Sequence, residues 1–304
     1  MILNRVLVVS AAQKLQDAGV DSAENDATLL LAHAATEEEF HQLVAKRATR
    51  IPLQHLTGRA YFRHLELAVG PGVFVPRPET ELLAQVAVDS LPMLLKQQLE
   101  QAEVKANVSK PVVIDLCAGS GAVGLSVATE VANVVVHVVE VSADAIAWLI
   151  ENVDSYASEC DANNSRVTVH ALDATDAAKF AEWFNKADVV LSNPPYIPDE
   201  MIPRDPEVRE HDPQLALYGG PDGLDVPIKV AATAALLLKS GGVFAMEHAD
   251  VQGEGESGLP AALRAMTDAS GNFVWREVID HKDYNGLPRF TSAIRAERPS
   301  EVQG

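Results

Sequence analysis

The sequence predicts an α/β protein: a mostly parallel, doubly wound sheet with an antiparallel hairpin at one edge, preceded by a small helical domain. Three observations carry this. From Pro111 onward, short apolar, β-rich runs alternate with helix-length segments, the pattern of a sheet covered on both faces. The last two strand-like runs, near Phe273–Ile279 and Arg289–Ile294, have no helix between them and should pair antiparallel. The first third reads as helical, its apolar residues recurring at helical spacing.

Along the chain, Leu3, Val6, Leu7 and Leu15, then Ala27, Leu30, Leu31 and Ala34, mark two helices, with Asp26 in the place of a cap for the second. Glu37-Glu38-Glu39 reads as a solvated helix start, because carboxylates favour the positive end of the helix dipole. Apolar residues from Tyr61 to Val75 surround Gly70-Pro71-Gly72, which predicts a β-hairpin with its tight turn there. Pro76-Arg77-Pro78 ends the strand, and Glu79 to Leu83 opens a helix. Lys96–Lys110 is polar and reads as an exposed connection. Strands are expected at Val112–Leu116, Val134–Val141, Arg166–Ala171, Ala187–Ser192 and Gly242–Glu247. Helices are expected at Ala122–Val131, Ala143–Tyr156, Asp176–Phe184, Val226–Leu238 and Leu259–Ala269. The division that follows is 1–57 helical, 58–76 a β-hairpin linker and 77–304 the main domain.

Composition narrows the functions. The net charge of −19 opposes approach to nucleic-acid phosphates, and no Lys/Arg run offsets it, so no direct nucleic-acid partner is expected. Cys117 and Cys160 make no disulfide framework, and no Cys/His cluster has zinc spacing, so no metal is expected. The apolar start, Met1 to Val6, is broken at Gln13, Lys14 and Asp17; it predicts neither a signal peptide nor a membrane span, and hence a cytoplasmic protein.

Chemistry concentrates at strand ends. The first strand of the sheet runs into Asp115-Leu116-Cys117-Ala118-Gly119-Ser120-Gly121, whose small residues let a ligand approach the backbone. Gly119, Gly121 and Gly124 match G-x-G-x-x-G, a weak signal alone, since any close strand–helix turn gives it. Glu140 ends the second strand roughly 20 residues on, where a carboxylate can accept from ribose hydroxyls and repel a 2′-phosphate. Asp173, past the third strand, suits either an acceptor for an adenine amino group or a turn cap.

The fourth strand ends in Asn193-Pro194-Pro195-Tyr196. Two prolines hold an extended turn with free carbonyls. Asn193 Oδ1 and the Pro194 carbonyl can then accept both hydrogens of a planar –NH2, and the Tyr196 ring can cover its flat face. Hydride transfer from NAD has no evident use for this turn. A site for S-adenosylmethionine would bring the methyl donor beside it, with S-adenosylhomocysteine as product. An amide nitrogen is a poor nucleophile and its proton too weakly acidic for a general base, so orientation is expected to do most of the work.

Taken together, Pro52 to Gly58, Gly72 to Glu81, Asp115 to Gly121, Asn193 to Tyr196 and His211 to Leu224 give a chain that resembles a class I S-adenosylmethionine-dependent methyltransferase. More narrowly, it is similar to the HemK/PrmC family of release-factor glutamine methyltransferases. That resemblance implies a Rossmann-like sheet, a helical bundle joined to it by a β-hairpin, and methylation of the glutamine in the Gly-Gly-Gln motif of peptide-chain release factors. By position it assigns the donor to Cys117, Ala118, Gly119, Ser120, Gly121, Glu140, Asp173, Ala174 and Asn193. It assigns the substrate glutamine to Asn193, Pro194, Pro195 and Tyr196, with Asn193, Pro194 and Tyr196 catalytic.

Two positions depart from the family pattern. Cys117 replaces a more usual glycine, which requires ordinary φ there; Ala174 replaces a larger side chain. The Pro-Arg-Pro-Glu-Thr wording at Pro76–Thr80 differs from the Pro-Arg-Ser-Pro of sister enzymes acting on a ribosomal protein. Alternatives are an adenine amino-methyltransferase on DNA, with a similar turn, a glutamine methyltransferase of a ribosomal protein, and a non-catalytic donor-binding protein. A monomer is expected.

Overall fold

The computed structural model describes residues 2–101 and 109–298. Four helices come first: α1 (Ile2–Asp17), α2 (Ala23–His33), α3 (Glu37–Ala48) and the short α4 (Leu53–Thr57). Leu15, Ala27, Leu30, Phe40, Leu43 and Val44 form their shared core. Thr36 caps α3 by accepting from the Glu39 amide, and the Glu39 carboxylate takes the Ala35 amide at 2.7 Å, so the acidic run is a helix start. Asp26 is not a cap. It lies inside α2, buried, and accepts from Arg47 Nε of α3 at 2.8 Å. Burying that guanidinium requires a carboxylate beside it, and Asp26 supplies it.

A two-stranded sheet follows, β1 (Arg59–Phe62) antiparallel to β2 (Leu65–Ala68). Its turn is Arg63-His64, with Arg63 at φ 52°, and not Gly70-Pro71-Gly72 as the sequence suggested. The glycines serve packing instead. A Cβ on Gly70 would lie 2.4 Å from the Trp148 ring, and one on Gly72 would lie 2.6 Å from Asp144. Both contacts are with the helix α7 (Ala143–Ser155), and Trp148 Nε1 donates to the Pro71 carbonyl at 3.2 Å. After a 3₁₀ turn at Pro78–Thr80, α5 runs from Glu81 to Gln101, burying Leu83, Ala84, Ala87 and Leu91. The expected connection from Lys96 is therefore helical as far as Gln101; residues 102–108 lie outside the described part.

The main sheet comprises β3 (Val112–Leu116), β4 (Val135–Glu140), β5 (Arg166–Ala171), β6 (Ala187–Ser192), β7 (Leu238–Glu247), β8 (Trp275–Lys282) and β9 (Pro288–Arg295), in the order β5-β4-β3-β6-β7-β9-β8. The pairs from β5 to β7 are parallel; β9 is antiparallel to both β7 and β8. The remaining helices are α6 (Ala122–Glu130), α8 (Ala157–Ala162), α9 (Pro206–His211), α10 (Asp225–Leu237) and α11 (Leu259–Ala265). The segment expected as a helix over Asp176–Phe184 is a 3₁₀ helix at Ala177–Trp183. Two apolar clusters cover opposite faces, one with Val136, Val138, Val189 and Leu191, the other with Ile114, Val139, Val190 and Phe244. Strand order reverses at β3, with β4 on one side and β6 on the other. The carboxyl ends of these strands therefore diverge around an open crevice, the place where open α/β sheets bind ligands.

Candidate functional site

The turn after β3 is bound tightly to its neighbours. Cys117, Gly119 and Gly121 all have positive φ, at 62°, 55° and 86°. The Ala118 amide donates to the Val139 carbonyl of β4 at 2.9 Å. Asp115, buried at the end of β3, accepts from the Gly124 amide at 2.9 Å and thereby fixes the start of α6. Burial pushes its carboxyl up to about 7, against the pull of that hydrogen bond. From the other side, Asn152 of α7 donates to the Ser120 carbonyl at 2.9 Å and to the Ala68 carbonyl at 3.0 Å. One amide thus joins the small hairpin to the Gly-rich turn.

Cys117 departs from the expectation of ordinary φ. It occupies the left-handed region, which costs roughly 1–2 kcal/mol for an L residue. The tight turn dictates that backbone whatever the side chain, and the half-buried thiol packs against the apolar cluster containing Ile114 and Leu116. Burial raises the thiol far above its ordinary value, so Cys117 is not poised as a nucleophile.

Glu140 sits at the end of β4 with its carboxylate turned back on the chain. Oε2 accepts from the Gly119 amide, and Oε1 accepts from the Val141 and Ser142 amides, each at 2.8 Å. A carboxylate offers about four acceptor positions, so one on Oε2 remains for a ligand hydroxyl. Asp173 fulfils its turn reading: Oδ1 accepts from the Thr175 amide at 2.8 Å and the Thr175 hydroxyl at 2.7 Å. Its residue stays exposed, which leaves Oδ2 accessible.

Around these groups lies a cavity of about 290 Å³. Of the residues singled out from the sequence, Cys117, Glu140, Asp173, Ala174, Asn193 and Pro195 line it. Ala118, Gly119, Ser120, Gly121, Pro194 and Tyr196 do not; the first four frame the cavity through the turn. The sequence reading did not assign Phe74, Leu172, Leu215, Ala216 and Tyr218, which line it along with Val139, Val141, Ala145 and Val226. Phe74 and Leu215 to Tyr218 lie within segments that carried the family resemblance, and that was the available signal. Two sides of the mouth are joined by Arg77, whose guanidinium lies 5.2 Å from the Phe74 ring centroid and 3.3 Å from Asp212 Oδ2. Asp212 is held at about 6, raised by burial and pulled back by Arg77.

The Asn193–Tyr196 turn is held from behind. Ser192 Oγ donates to the Leu116 carbonyl at 2.9 Å, which sets β6 against β3. Asn193 Nδ2 donates to Thr80 Oγ1 at 3.3 Å. Tyr196 Oη donates to Glu247 Oε1 at 3.1 Å, and Gln252 Nε2 donates to the Tyr196 carbonyl at 2.9 Å. Gly219 packs against the turn so closely that a Cβ would lie 2.6 Å from the Pro195 carbonyl oxygen. Among the described residues, neither Asn193 Oδ1 nor the Pro194 carbonyl accepts an internal hydrogen bond. Asn193 lines the cavity and Pro194 follows it in the turn, so two adjacent free acceptors suit a group with two N–H bonds. Thr80 and Glu247 were not singled out from the sequence, although Glu247 ends β7 on the same rim as Glu140.

A larger cavity of about 1040 Å³ lies beside the helical bundle and the segment Arg204–Glu207, with Arg47, Arg50, Arg59, Arg77 and Arg204 on its walls together with Asp21, Asp26, Asp205 and Glu207. Among the described residues no His, Cys, Asp and Glu cluster is placed to hold a metal, and no helix is long and apolar enough to cross a membrane.

Comparison with known proteins matches residues 79–203 to the family described as Methyltransferase small domain. The chain is 42% identical to a release factor glutamine methyltransferase of Streptomyces coelicolor, over 95% of this chain and 97% of that one. It is 40% identical to a protein of the same description from Bifidobacterium longum, over 95% and 98%. A further relative, a 4-amino-L-phenylalanine/4-methylamino-L-phenylalanine methyltransferase of Streptomyces pristinaespiralis, is 35% identical over 84% and 85%.

Proposed function

The chain belongs to the release factor glutamine methyltransferase family, and we propose that it methylates the side-chain amide nitrogen of the Gly-Gly-Gln glutamine in peptide-chain release factors. The observation that carries this is the Asn193 side chain: Thr80 engages its nitrogen, leaving Oδ1 free at the edge of the 290 Å³ cavity.

The cavity suits S-adenosylmethionine in its chemistry. Leu172, Ala174 and Leu215 offer apolar walls for a flat ring, Glu140 keeps one acceptor position for a hydroxyl, and Asp173 keeps Oδ2. The small Ala174 removes the side chain that would stack on an adenine, so affinity leans on these other contacts. Bound there, S-adenosylmethionine supplies an electrophilic methyl group on a sulfonium sulfur. Everything else falls to the chain. Asn193 Oδ1 and the Pro194 carbonyl accept the two amide N–H bonds and aim the nitrogen lone pair. The same acceptor dipoles stabilise the positive charge that develops on nitrogen. Orientation of this kind supplies roughly 7–11 kcal/mol in favourable cases, so no dedicated base is required, and after transfer the now acidic nitrogen gives its proton to water. The helical bundle and the arginine-lined cavity beside it recognise the folded protein substrate.

The test is incubation of the purified enzyme with labelled donor and a purified release factor, followed by peptide mapping. Label on the Gly-Gly-Gln glutamine is expected. Label transferred only to duplex DNA, or only to free 4-amino-L-phenylalanine supplied as a control, would overturn the reading.

A further inference from the structure

We propose that Gln252 is a positioning residue for methyl transfer: its buried side-chain amide ties the Asn193–Tyr196 turn to the segment that walls the 290 Å³ cavity, and so fixes where the acceptor nitrogen meets the methyl donor. This deepens the function proposed above and rests on it.

Gln252 closes a 3₁₀ turn, Asp250–Gln252, just beyond β7, and is 5% exposed. Its Nε2 donates to the Tyr196 carbonyl at 2.9 Å and to the Asp222 carbonyl at 3.1 Å. Its Oε1 accepts from the Ala249 amide at 3.0 Å. Both hydrogens and the oxygen are thus engaged by backbone. The reversed amide would set an oxygen against two carbonyl oxygens and an NH2 against an N–H, so its orientation is fixed.

The two carbonyls belong to different walls of the site. Tyr196 ends the turn that carries the substrate acceptors. Pro194 and Pro195 lock φ within it, so a shift at Tyr196 carries the Pro194 carbonyl and Asn193 along. Asp222 follows Leu215, Ala216 and Tyr218 of the cavity lining. The same two segments meet again where the Ile197 amide donates to the Leu217 carbonyl at 2.8 Å and the Gly219 amide to the Ile197 carbonyl at 2.9 Å. The junction has no spare room: a Cβ on Gly223 would overlap the Tyr196 carbonyl oxygen and lie 2.6 Å from Gln252 Nε2. A donor that spans both carbonyls sets the spacing between substrate turn and donor wall. Misplacement of reacting groups by about 1 Å can cost about 10²-fold in rate.

The ionisable groups on the adjoining segments have partners of their own. Glu247 accepts from Tyr196, His248 is engaged by Asp280, and Arg289 pairs with Asp283. Asp222 accepts from the Leu224 amide, Asp250 from the Val251 amide, and Glu254 pairs with Arg264. A carboxyl introduced at position 252 would therefore face two carbonyl oxygens and no counter-ion.

The test uses the full-length enzyme, S-adenosylmethionine and a purified release factor, comparing wild type with Gln252→Met, Gln252→Glu and Gly223→Ala, each checked for folding by circular dichroism. Gln252→Met fills the space without a donor. Its kcat should fall about 10²-fold while KM for the methyl donor changes by less than about threefold, because Glu140 and Asp173 lie outside the junction. In Gln252→Glu the neutral carboxyl keeps one donor and one acceptor, and the ionised form keeps no donor. Its kcat, taken as a ratio to wild type, should therefore recover at low pH and fall as pH rises. If Gln252→Met does not fold, that ratio decides, together with Gly223→Ala, which drives a methyl into the same junction and should show the same split between kcat and KM. An unchanged kcat in the folded variants, a loss carried by donor KM alone, or a ratio for Gln252→Glu that is flat with pH would overturn the inference alone. A wild type inactive on every release factor would overturn the function and this inference with it.

Discussion

Arg47 of α3 and Glu207 of α9, 160 positions apart in the chain, meet at 2.7 Å with both side chains buried. Arg47 also holds Asp26, and Arg50 adds a second guanidinium to Glu207 at 2.5 Å. In the sequence, Glu207 lies between the Asn193–Tyr196 turn and Pro213, Leu215, Ala216 and Tyr218, which line the smaller cavity. The helical bundle is therefore anchored to the segment that leads into the lining residues Pro213 to Tyr218.

Arg47→Ala should loosen this anchor severely, because it leaves the buried Asp26 with the Ser22 hydroxyl alone and no counter-charge; breaking such a pair costs roughly 3–5 kcal/mol. Denaturant unfolding should report the loss. The pH dependence has a definite sign. Burial raises the Glu207 carboxyl, but its interaction with Asp205 and the hydrogen bonds from Arg50 and Arg47 outweigh it and hold the group down at about 2, below its ordinary 4.5. A depressed folded-state value gives stability that is fully present above 4.5 and is lost as pH falls through about 2. The melting temperature of wild type should fall across that window, and that of Glu207→Gln should start lower and fall less.

Asn193→Ala should abolish turnover and leave the fold intact. The change removes the Oδ1 acceptor and a single 3.3 Å bond to Thr80, neither of which supports the core. Loss of one oriented hydrogen bond at a reacting centre costs on the order of 10²–10³ in rate. Single-turnover kinetics with a release factor, beside a circular dichroism melt, separates chemistry from folding. Near-normal turnover would remove Asn193 from the mechanism.

Glu140→Ala should weaken donor binding by roughly 1.5–3 kcal/mol, the range for a hydrogen bond to a charged group. It should also destabilise the protein, since the amides of Gly119, Val141 and Ser142 all lose their acceptor. Glu140→Gln keeps a carbonyl acceptor and should lose less on both counts. Calorimetry with S-adenosylmethionine tests the first effect; an unchanged affinity would reduce Glu140 to a clasp for the turn.

Sheet, strand ends and the Asn193–Tyr196 turn were legible in the sequence because period and turn chemistry are local. What was not legible depends on distant partners or on backbone conformation. Gly70-Pro71-Gly72 has the composition of a turn, yet its glycines answer to Trp148 and Asp144 on α7. Asp26 stands where a cap would, yet its partner is Arg47 on another helix. The φ of 62° at Cys117 is imposed by the loop and has no signature in a cysteine. Thr80 and Glu247 became visible only when Pro78–Thr80, β6 and β7 were brought to one rim. For the same reason the apolar wall of the cavity, drawn from Phe74 and from Leu215 to Tyr218, was not assigned.

A free Gly-Gly-Gln peptide should be a much poorer substrate than a folded release factor. The two acceptors at Asn193 and Pro194 recognise an amide and nothing beyond it, so selection must come from elsewhere. The 1040 Å³ cavity beside the bundle and Arg204–Glu207 carries Arg59, Arg77 and Arg204 besides Arg47 and Arg50, which hold Glu207, with Asp21 and Asp205 also on its walls. Contacts remote from the reacting atoms supply positioning energy, and a truncated substrate loses kcat as well as binding. The measurement is kcat/KM for peptide and intact factor, with wild type, Arg59→Ala and Arg204→Ala. Arg59 is exposed and pairs with Glu66, so its replacement should leave the fold undisturbed. Either variant should lower kcat/KM for the protein and leave that for the peptide nearly unchanged. Equal efficiency of wild type on peptide and protein would instead confine recognition to the Asn193–Tyr196 turn.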